Sequence, residues 1–414
     1  VIKIGNVTGG SFIDLSSYDT ISEEIARKVK SFQTKDDDIL IAMTGANVGK
    51  VSRIAKGTQP CLINQRVGRF ILKEDCPYSS DFIYYLVSSN KSFQYFSNTA
   101  DGAAQPNISG KLIEDLEFPD ISPKSANKAG KYLKVLDEKI QLNTQINQTL
   151  EQIAQALFKS WFIDFDPVRA KVQALSDGLS LEQAELAAMQ TISGKTPEEL
   201  TALSQTQPDR YAELAETAKA FPCEMVEVDG VEVPKEWEVK PLGDLISFVK
   251  GKKPKAVSPN QEENMLPHIL TSSLEGKYNE FCESNKLITV EYQNTIMLMD
   301  GSNSGRVAIG HNGVIGSTLA KINLDNNKLW AIIYQFLKHK EADIQANTTG
   351  TTIPHTDKNR VNNYLMVIPN NFLLEKFTEL FDNSLLKIIS NRNQIISLET
   401  TRDLLLPRLL SGVI

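Results

Sequence analysis

An internal duplication constrains the fold of this chain more than any other feature. Residues 39–51 (Ile-Leu-Ile-Ala-Met-Thr-Gly-Ala-Asn-Val-Gly-Lys-Val) align with residues 295–307 (Thr-Ile-Met-Leu-Met-Asp-Gly-Ser-Asn-Ser-Gly-Arg-Val) at one constant offset. Each copy is typical of a buried strand, a polar turn flanked by glycines and the start of a second strand. The duplication predicts two domains of similar fold.

The elements that follow are repeated in the same order. The apolar stretch at 81–87 pairs with 329–337, and the loop at 102–108 (Gly-Ala-Ala-Gln-Pro-Asn-Ile) pairs with 350–356 (Gly-Thr-Thr-Ile-Pro-His-Thr). Residues 2–6 align with the region around His268, so the segment that begins near Trp237 has no counterpart in the first half. We therefore expect the opening part of the first domain to be missing upstream of Val1.

Each half ends in a long helix whose core positions recur with a seven-residue period. The first stripe comprises Leu133, Leu136, Ile140, Asn143, Asn147, Leu150, Ala154, Leu157 and Trp161. The second comprises Phe377, Phe381, Ser384, Ile388, Asn391, Ile395, Leu398, Arg402, Leu405 and Leu409. Helices that end equivalent repeats can lie antiparallel, so we expect this pair to form a coiled-coil-like spacer between the two domains.

The segment between the first long helix and the second domain is rich in Ala, Glu and Gln. Ser180-Leu-Glu-Gln and Thr196-Pro-Glu-Glu each place a hydroxyl residue before acidic residues, which is typical of a helix start. We expect a surface helical insert here, and the alternative is a flexible linker. The predicted boundaries are 1–122 for the first domain, 123–165 for the first helix, 166–235 for the insert, 236–370 for the second domain and 371–414 for the second helix.

Composition limits the class of protein. A chain of 414 residues with 41% hydrophobic content is expected to form more than one core, because single cores rarely grow past roughly 250 residues. No apolar stretch approaches the roughly 20 residues needed to cross a bilayer, and no signal peptide is expected. The four cysteines are far apart and form no Cys-x-x-Cys pair, so neither a disulfide framework nor a zinc site is predicted. A cytoplasmic location without membrane contact is expected.

The net charge of −7 argues against nucleic-acid binding, because Lys and Arg must neutralise phosphates. The acidic residues are concentrated in one segment, however. Residues 172–236 contain 13 Asp or Glu and 4 Lys or Arg, a local charge of −9, so the rest of the chain carries +2. This mildly basic remainder is compatible with DNA binding but is not specific for it.

Three segments resemble the specificity (S) subunits of Type I restriction-modification enzymes. They are residues 237–245 (Trp-Glu-Val-Lys-Pro-Leu-Gly-Asp-Leu), 157–169 (Leu-Phe-Lys-Ser-Trp-Phe-Ile-Asp-Phe-Asp-Pro-Val-Arg) and 404–412 (Leu-Leu-Leu-Pro-Arg-Leu-Leu-Ser-Gly). The resemblance covers nearly the whole chain. It implies an α+β protein in which two similar α/β target recognition domains, separated by two long antiparallel conserved helices, each read one half of a bipartite asymmetric site on double-stranded DNA.

The resemblance also implies partners and cofactors. In that family the helices dock two methyltransferase (M) subunits, and the assembly recruits restriction/translocase (R) subunits. The complex methylates adenine N6 and cleaves DNA. S-adenosylmethionine would belong to the M subunits, and ATP with Mg to the R subunits, so no cofactor is expected in this chain.

The residues themselves give little support to a catalytic role. Residues 45–51 and 193–196 resemble phosphate-binding loops, but the first has too few residues between its glycines and the second has Met189 where a glycine belongs. Asp164 and Asp166 could form a metal pair, but exposed turn or cap residues are the simpler interpretation. No metal site and no catalytic residue are predicted.

DNA contacts are expected on the repeated turns, because polar and basic side chains on rigid loops contact base edges and phosphates. The candidates in the first domain are Thr44, Asn47, Lys50, Arg53, Gln65 and Arg66. The candidates in the second are Lys252, Lys253, Lys255, Ser302, Asn303 and Arg306. Residues 105–107 and 355–358 with Arg360 are second-rank candidates, and they include His355 and Lys358. The alternative is that the glycine-flanked turns serve only the backbone.

Polar residues in the helix stripes have two interpretations. Asn143, Asn147 and Asn391 are favoured as register-setting core residues rather than partner contacts. Trp161 and Arg402 are candidates for the same two roles. The main alternative for the whole chain is a protein-assembly scaffold built from two repeated domains that bind polypeptide, and a fragment of a fused methyltransferase-nuclease is the second alternative.

Overall fold

The computed structural model describes residues 1–102, 106–228, 230–350 and 352–412. The chain divides into two compact units. Unit 1 comprises Val1–Asn143 and Gln394–Ile414, and unit 2 comprises Thr144–Asn393. Two helices of 40 residues each supply residues to both units.

Unit 1 is a small α+β domain. Its short helices are α1 (Glu23–Lys28), α2 (Ser80–Val87), α3 (Asn90–Thr99) and α4 (Gly110–Glu114), and the long helix α5 (Pro123–Phe162) begins in this unit. Its strands are β1 (Ile39–Ala42), β2 (Val51–Arg53) and β3 (Val67–Arg69), which form an antiparallel sheet in the order β2-β1-β3. All four β1 residues are buried, which agrees with the buried strand predicted there.

Unit 2 contains more strands. Its helices are α6 (Asp166–Ser176), α7 (Leu181–Ser193), α8 (Pro197–Thr206), α9 (Pro208–Ala220), α10 (Trp330–Ala346), α11 (Lys358–Asn362) and most of α12 (Asn371–Leu410). Its strands are β4 (Met225–Val228), β5 (Val231–Pro234), β6 (Glu238–Pro241), β7 (Ile246–Lys250), β8 (Met265–Ile269), β9 (Phe281–Glu283), β10 (Thr289–Val290), β11 (Ile296–Leu298), β12 (Val307–Ala308), β13 (Gly313–Ile315), β14 (Leu319–Leu324) and β15 (Leu365–Ile368).

The sheet topology confirms the predicted duplication. Unit 2 has four-stranded sheets in the orders β12-β11-β14-β7 and β10-β13-β8-β9. The order β12-β11-β14 repeats β2-β1-β3 of unit 1. A parallel bridge between Ile2 and Ile63 in unit 1 also matches the parallel pairing of Ile269 with Ile315 in unit 2. The two domains therefore share one scaffold, as the sequence repeat predicted.

The long helices pack through the predicted stripes, since every residue of both stripes is buried or half-buried. In unit 1, Nδ2 of Asn143 donates to Oε1 of Gln394 at 2.7 Å. In unit 2, Nδ2 of Asn391 donates to Oδ1 of Asn147 at 2.9 Å. Within each unit, α5 residues with higher numbers contact α12 residues with lower numbers. The two helices therefore run antiparallel. Paired polar residues inside an apolar seam favour one register, because a shift would bury them unpaired.

Within the predicted insert, the described residues 166–228 and 230–235 contain four helices, α6–α9. Ser180 and Thr196 are the N-caps of α7 and α8, as their hydroxyl side chains led us to expect, and each forms a capping box. The insert also contains the β4–β5 hairpin, which the helical prediction did not include. The side chain of Lys171 is 1% exposed, and its Nζ donates to the carbonyl oxygens of Ala218 and Phe221 at the end of α9. This contact satisfies helix-end carbonyls and fixes α6 against α9.

Candidate nucleic-acid interface

Two equivalent turns carry most of the candidate residues. The first turn (44–50) joins β1 to β2, and the second turn (300–306) joins β11 to β12. In the first, the amide of Gly49 donates to the Ala42 carbonyl at 2.9 Å, and in the second the amide of Gly305 donates to the Leu298 carbonyl at 2.8 Å. Both glycines have positive φ, +81° and +91°. The two turns are thus the same backbone structure with different side chains.

A second loop pairs with each turn. In unit 1, Asn107 forms β-bridges with Thr44 and Asp101. In unit 2, His355 forms β-bridges with Asp300 and Thr349. The same pair of loops is therefore held together in both units, and Asn107 and His355 occupy equivalent places. Gln105, from the first of these loops, lies outside the described residues.

Unit 1 brings four of its predicted residues onto one surface. Nδ2 of Asn47 donates to the Ile4 carbonyl at 3.0 Å, and its Oδ1 accepts from Nζ of Lys50 at 2.9 Å. Gln65 and Arg66 are exposed, and the Arg66 carbonyl accepts from the amide of residue 43 beside the turn. We call this group, Asn47, Lys50, Gln65 and Arg66, surface 1. The sequence interpretation missed Lys3 and Asn64, which line a depression with Gln65 and Arg66.

Two predicted residues of unit 1 are not available for direct contact. Arg53 is 1% exposed, and its guanidinium contacts Asp81, Tyr85 and Asp137. The ring of Tyr84 lies 3.9 Å from its guanidinium carbon. Arg53 is a core residue because these acids and rings replace its hydration, and its assignment to DNA was wrong. The Thr44 hydroxyl is also buried, without a hydrogen-bond partner among the described residues.

Unit 2 builds its surface around Asp300, at the start of the second turn. One carboxylate oxygen lies 2.7 Å from Nζ of Lys250 and the other lies 2.8 Å from Nδ1 of His355. Partial burial tends to raise the pKa of Asp300, but these hydrogen bonds hold that pKa below the usual value of a carboxyl. The negative charge of Asp300 is thus offset by its neighbours. Lys250 and Asp300 were missed, although Asp300 aligns with Thr44 and Lys250 lies two residues before the predicted Lys252.

The remaining first-rank candidates of unit 2 lie on the two segments that carry Lys250 and Asp300. Lys252, Lys253 and Lys255 are exposed just after β7, and Ser302 and Asn303 are exposed on the second turn. We call the group formed by these five residues with Lys250, Asp300 and His355 surface 2. It carries four lysines against one carboxylate, which suits a phosphate backbone.

Three predicted residues of unit 2 interact with other side chains of the same unit. Arg306 forms an ion pair with Glu275 on the surface. Nε and Nη2 of Arg360 donate to the Asp343 carboxylate at 3.0 and 2.9 Å, which makes Arg360 an intramolecular contact rather than a free cation. Lys358 lies 5.6 Å from the centre of the Phe248 ring and remains exposed.

Trp161 and Arg402, the other two candidates on the long helices, contact residues of their own units. Trp161 is 2% exposed and packs against Phe162, Phe221 and Phe377, so it is a core residue and cannot form a partner-docking surface. Nη1 of Arg402 donates to Oδ1 of Asp137 at 2.8 Å within unit 1. Together with the asparagine contacts described above, these placements favour the register role.

Among the described residues, no group of three or more His, Cys, Asp or Glu side chains is placed to hold a metal ion. None of the helices in the described part of the chain has the length and hydrophobicity of a membrane-spanning segment. Asp164 forms an ion pair with Lys159 just after α5.

Comparison with known proteins places these domains in a family. A family model described as the Type I restriction modification DNA specificity domain matches residues 1–152 and 234–398. The helices α6–α9 lie outside both matched stretches.

Named relatives agree with this match. The Type I restriction enzyme HindI specificity subunit of Haemophilus influenzae is 40% identical over 362 residues, which cover 81% of this chain and 77% of that protein. The MjaIX specificity subunit of Methanocaldococcus jannaschii is 25% identical over 381 residues, which cover 87% of this chain and 75% of that protein.

A solved structure shares the fold. The crystal structure of a Type I restriction-modification system S subunit from M. genitalium aligns with a TM-score of 0.54 at 17% identity, covering 91% of this chain and 84% of that one. Two repeated domains, each with the same pair of polar loops, therefore correspond to two matches of one domain family. The chain belongs to the Type I restriction modification DNA specificity domain family.

Proposed function

We propose that surface 1 and surface 2 each read one half of a bipartite, asymmetric site on double-stranded DNA. Family membership gives the chain a DNA-specificity role and disfavours the scaffold of two polypeptide-binding domains. The observation that carries the proposal is the loop pair found in both units. Its backbone is the same, but Thr44 and Asn107 in unit 1 are replaced by Asp300 and His355 in unit 2. One scaffold with different side chains is suited to reading two different sequences.

The chemistry of each surface supports this role. Surface 1 offers amides from Asn47 and Gln65, which can pair with adenine edges, and cations from Lys50 and Arg66 for phosphates or guanine. In surface 2, Asp300 accepts from Nδ1 of His355, so the proton lies on Nδ1 and Nε2 is left to meet a ligand. The exposed lysines that follow β7 would contact the phosphate backbone of the DNA.

The long helices would dock two M subunits, and the assembly would recruit R subunits. Supporting this, α5 exposes apolar side chains that are unusual on a solvated helix face. Tyr132 and Val135 in unit 1 are each 55% exposed, and Ile153 in unit 2 is 56% exposed. Exposed apolar groups of this size mark protein contacts.

We assign the chemistry of the complex to those partners. Adenine-N6 methylation with S-adenosylmethionine would belong to the M subunits, and cleavage with ATP and Mg to the R subunits. This chain would contribute sequence selection without a catalytic residue. Because the complex would act on DNA inside the cell, we expect it in the cytoplasm.

The Lys50→Ala variant tests surface 1 as a phosphate contact. We expect weaker binding to every duplex and a slope of log affinity against log salt that is smaller by about one unit, because one counterion fewer is released. Binding is measured by fluorescence anisotropy at several salt concentrations. The control is Lys56→Ala, because Lys56 is exposed and pairs with Glu138. An unchanged slope for Lys50→Ala would remove Lys50 from the interface.

A further inference from the structure

The two ring nitrogens of His355 have different surroundings in surface 2. Nδ1 lies 2.8 Å from Oδ1 of Asp300. Nε2 has no hydrogen-bond partner among the described residues, and the His355 side chain is 49% exposed. One nitrogen is therefore committed to the protein, and the other can meet a ligand.

Asp300 determines which nitrogen of His355 carries the proton. Partial burial acts to raise the pKa of Asp300, but contacts with Lys250 and His355 hold that pKa below the usual value of a carboxyl. An ionised carboxylate can only accept a hydrogen bond, so Nδ1 of His355 must donate. In a neutral imidazole the other nitrogen is then an acceptor. Nε2 of His355 therefore presents a lone pair.

Lys250 holds the Asp300 carboxylate from its other side. Its Nζ lies 2.7 Å from Oδ2 of Asp300, whereas His355 contacts Oδ1. A lysine ammonium has donors only, so each carboxylate oxygen has a donor of its own. These two contacts orient the carboxylate and, through it, the imidazole.

The backbone around His355 is also fixed. Its amide donates to the Thr349 carbonyl at 2.7 Å, and its carbonyl accepts from the Thr349 amide at 2.8 Å. The next amide, of Thr356, donates to the Met299 carbonyl at 2.9 Å. A Cβ on Gly350 would lie 3.0 Å from Cδ2 of the His355 ring, so the ring packs closely against this glycine. A side chain held in this way can contact a ligand atom with defined geometry.

Unit 1 has the same backbone at the equivalent place but different chemistry. Asn107 exchanges two backbone hydrogen bonds with Asp101, at 2.8 and 2.9 Å, as His355 does with Thr349. An asparagine amide offers both donors and an acceptor, whereas the neutral imidazole of His355 leaves only an acceptor unpaired. The two units therefore present different groups from equivalent positions, which suits a reader of two unlike half-sites.

An acceptor has one kind of partner on the major-groove edges of DNA bases. The donors there are the exocyclic amino groups, N6 of adenine and N4 of cytosine, whereas guanine N7 and O6 and thymine O4 are acceptors. We propose that Nε2 of His355 accepts a hydrogen bond from the amino group of one base in the half-site read by unit 2. Asp300 and Lys250 are positioning residues that set the imidazole tautomer for this contact. The inference rests on the DNA-reading role proposed above.

Selection from random duplexes locates the contact, with the full chain purified together with methyltransferase subunits. At pH 8, where histidine is ordinarily neutral, the wild-type chain is expected to enrich two blocks. His355→Ala is expected to lose the preference at one base pair of one block and to keep the other block. His339→Ala is the control and is expected to keep both blocks, because His339 is exposed on α10 of the same unit and is not part of surface 2.

Base analogues at that base pair identify the atom. Removing the amino group, with purine in place of adenine or 2-pyrimidinone in place of cytosine, is expected to weaken wild-type binding by about tenfold, or about 1.4 kcal/mol. The same analogue is expected to cost His355→Ala much less, because the contact is already absent, and this comparison cancels effects on the duplex itself. A 7-deaza purine at the pair is expected to cause no loss that depends on His355, because Nε2 does not donate.

Asp300→Asn tests the tautomer. Lys250 can only donate, so it retains the amide oxygen, and the amide nitrogen then faces His355 and donates to Nδ1. This moves the imidazole proton to Nε2, and the variant is expected to lose the same base preference as His355→Ala. In ¹⁵N NMR of the histidine-labelled chain, the proton is expected on Nδ1 of His355 in the wild type and on Nε2 in Asp300→Asn.

Three results would overturn this inference and leave the DNA-reading role intact. The first is two enriched blocks that His355→Ala does not change. The second is amino-group removal that costs the wild type no more than it costs His355→Ala. The third is a proton on Nε2 of His355 in the wild-type chain. A wild-type chain that enriches no block would contradict the DNA-reading role itself, and the inference with it.

Discussion

Replacing Asp137 with alanine is expected to destabilise unit 1 by about 3–5 kcal/mol, because removal of one partner leaves buried charges without compensation. Asp137 is 1% exposed on α5. Its carboxylate accepts from the Tyr85 hydroxyl at 2.7 Å and from Arg402 of α12 at 2.8 Å, and Arg53 of β2 lies within 3.5 Å. One carboxylate thus ties the sheet to both long helices within unit 1.

The measurement for Asp137→Ala is chemical denaturation followed by hydrogen exchange of peptides from unit 1. The matched control is Glu138→Ala on the next residue of the same helix. Glu138 is 42% exposed and pairs with exposed Lys56, so its loss is expected to cost only about 0–1 kcal/mol. Equal effects of the two variants, or a loss confined to unit 2, would contradict the role given to Asp137.

Replacing Gly49 or Gly305 with alanine is expected to disrupt one recognition surface at a time. A Cβ on Gly49 would lie 2.8 Å from Cβ of Phe96, and one on Gly305 would lie 2.6 Å from Cγ2 of Ile344. Both residues also have positive φ, which costs a side-chain-bearing residue on the order of 1–2 kcal/mol. Steric overpacking adds about 1–3 kcal/mol to this cost. Each substitution is therefore expected to lower the free energy of unfolding by roughly 2–5 kcal/mol.

The two glycine substitutions are expected to affect different halves of the DNA site. Gly49→Ala should relax selection in one half of the DNA site, and Gly305→Ala should relax selection in the other half. Selection from randomised duplexes followed by sequencing reads out both halves in one experiment. Gly57→Ala is the control, because Gly57 has φ of +75° but nothing within 4 Å of its Cβ position. Loss of both half-sites in either variant would argue against independent readers.

Periodic and repeated features of the fold could be predicted from the sequence. The two turns were found because glycines at fixed spacing recur where positive φ is required. The helix pair was found because its core positions step by threes and fours, and Asn143 and Asn391 identified the polar layers. These signals are local along the chain, so the sequence contains them directly.

Features that depend on distant residues could not be predicted. Arg53 looked like a surface cation beside the first turn, but Asp81 and Asp137 make it a core residue. Asp300 was overlooked because a carboxylate argues against a phosphate surface unless a lysine and a histidine are known to lie beside it. The β4–β5 hairpin was not predicted, because its strands are short and follow an acidic segment with helical sequence patterns.

The most direct test of the DNA-reading role is selection from a random duplex library with this chain purified together with methyltransferase subunits. Two short specified blocks, separated by a fixed gap without sequence preference, are the expected result if surface 1 and surface 2 each read a half-site. A single block, or retained DNA without an enriched motif, would contradict two-unit reading.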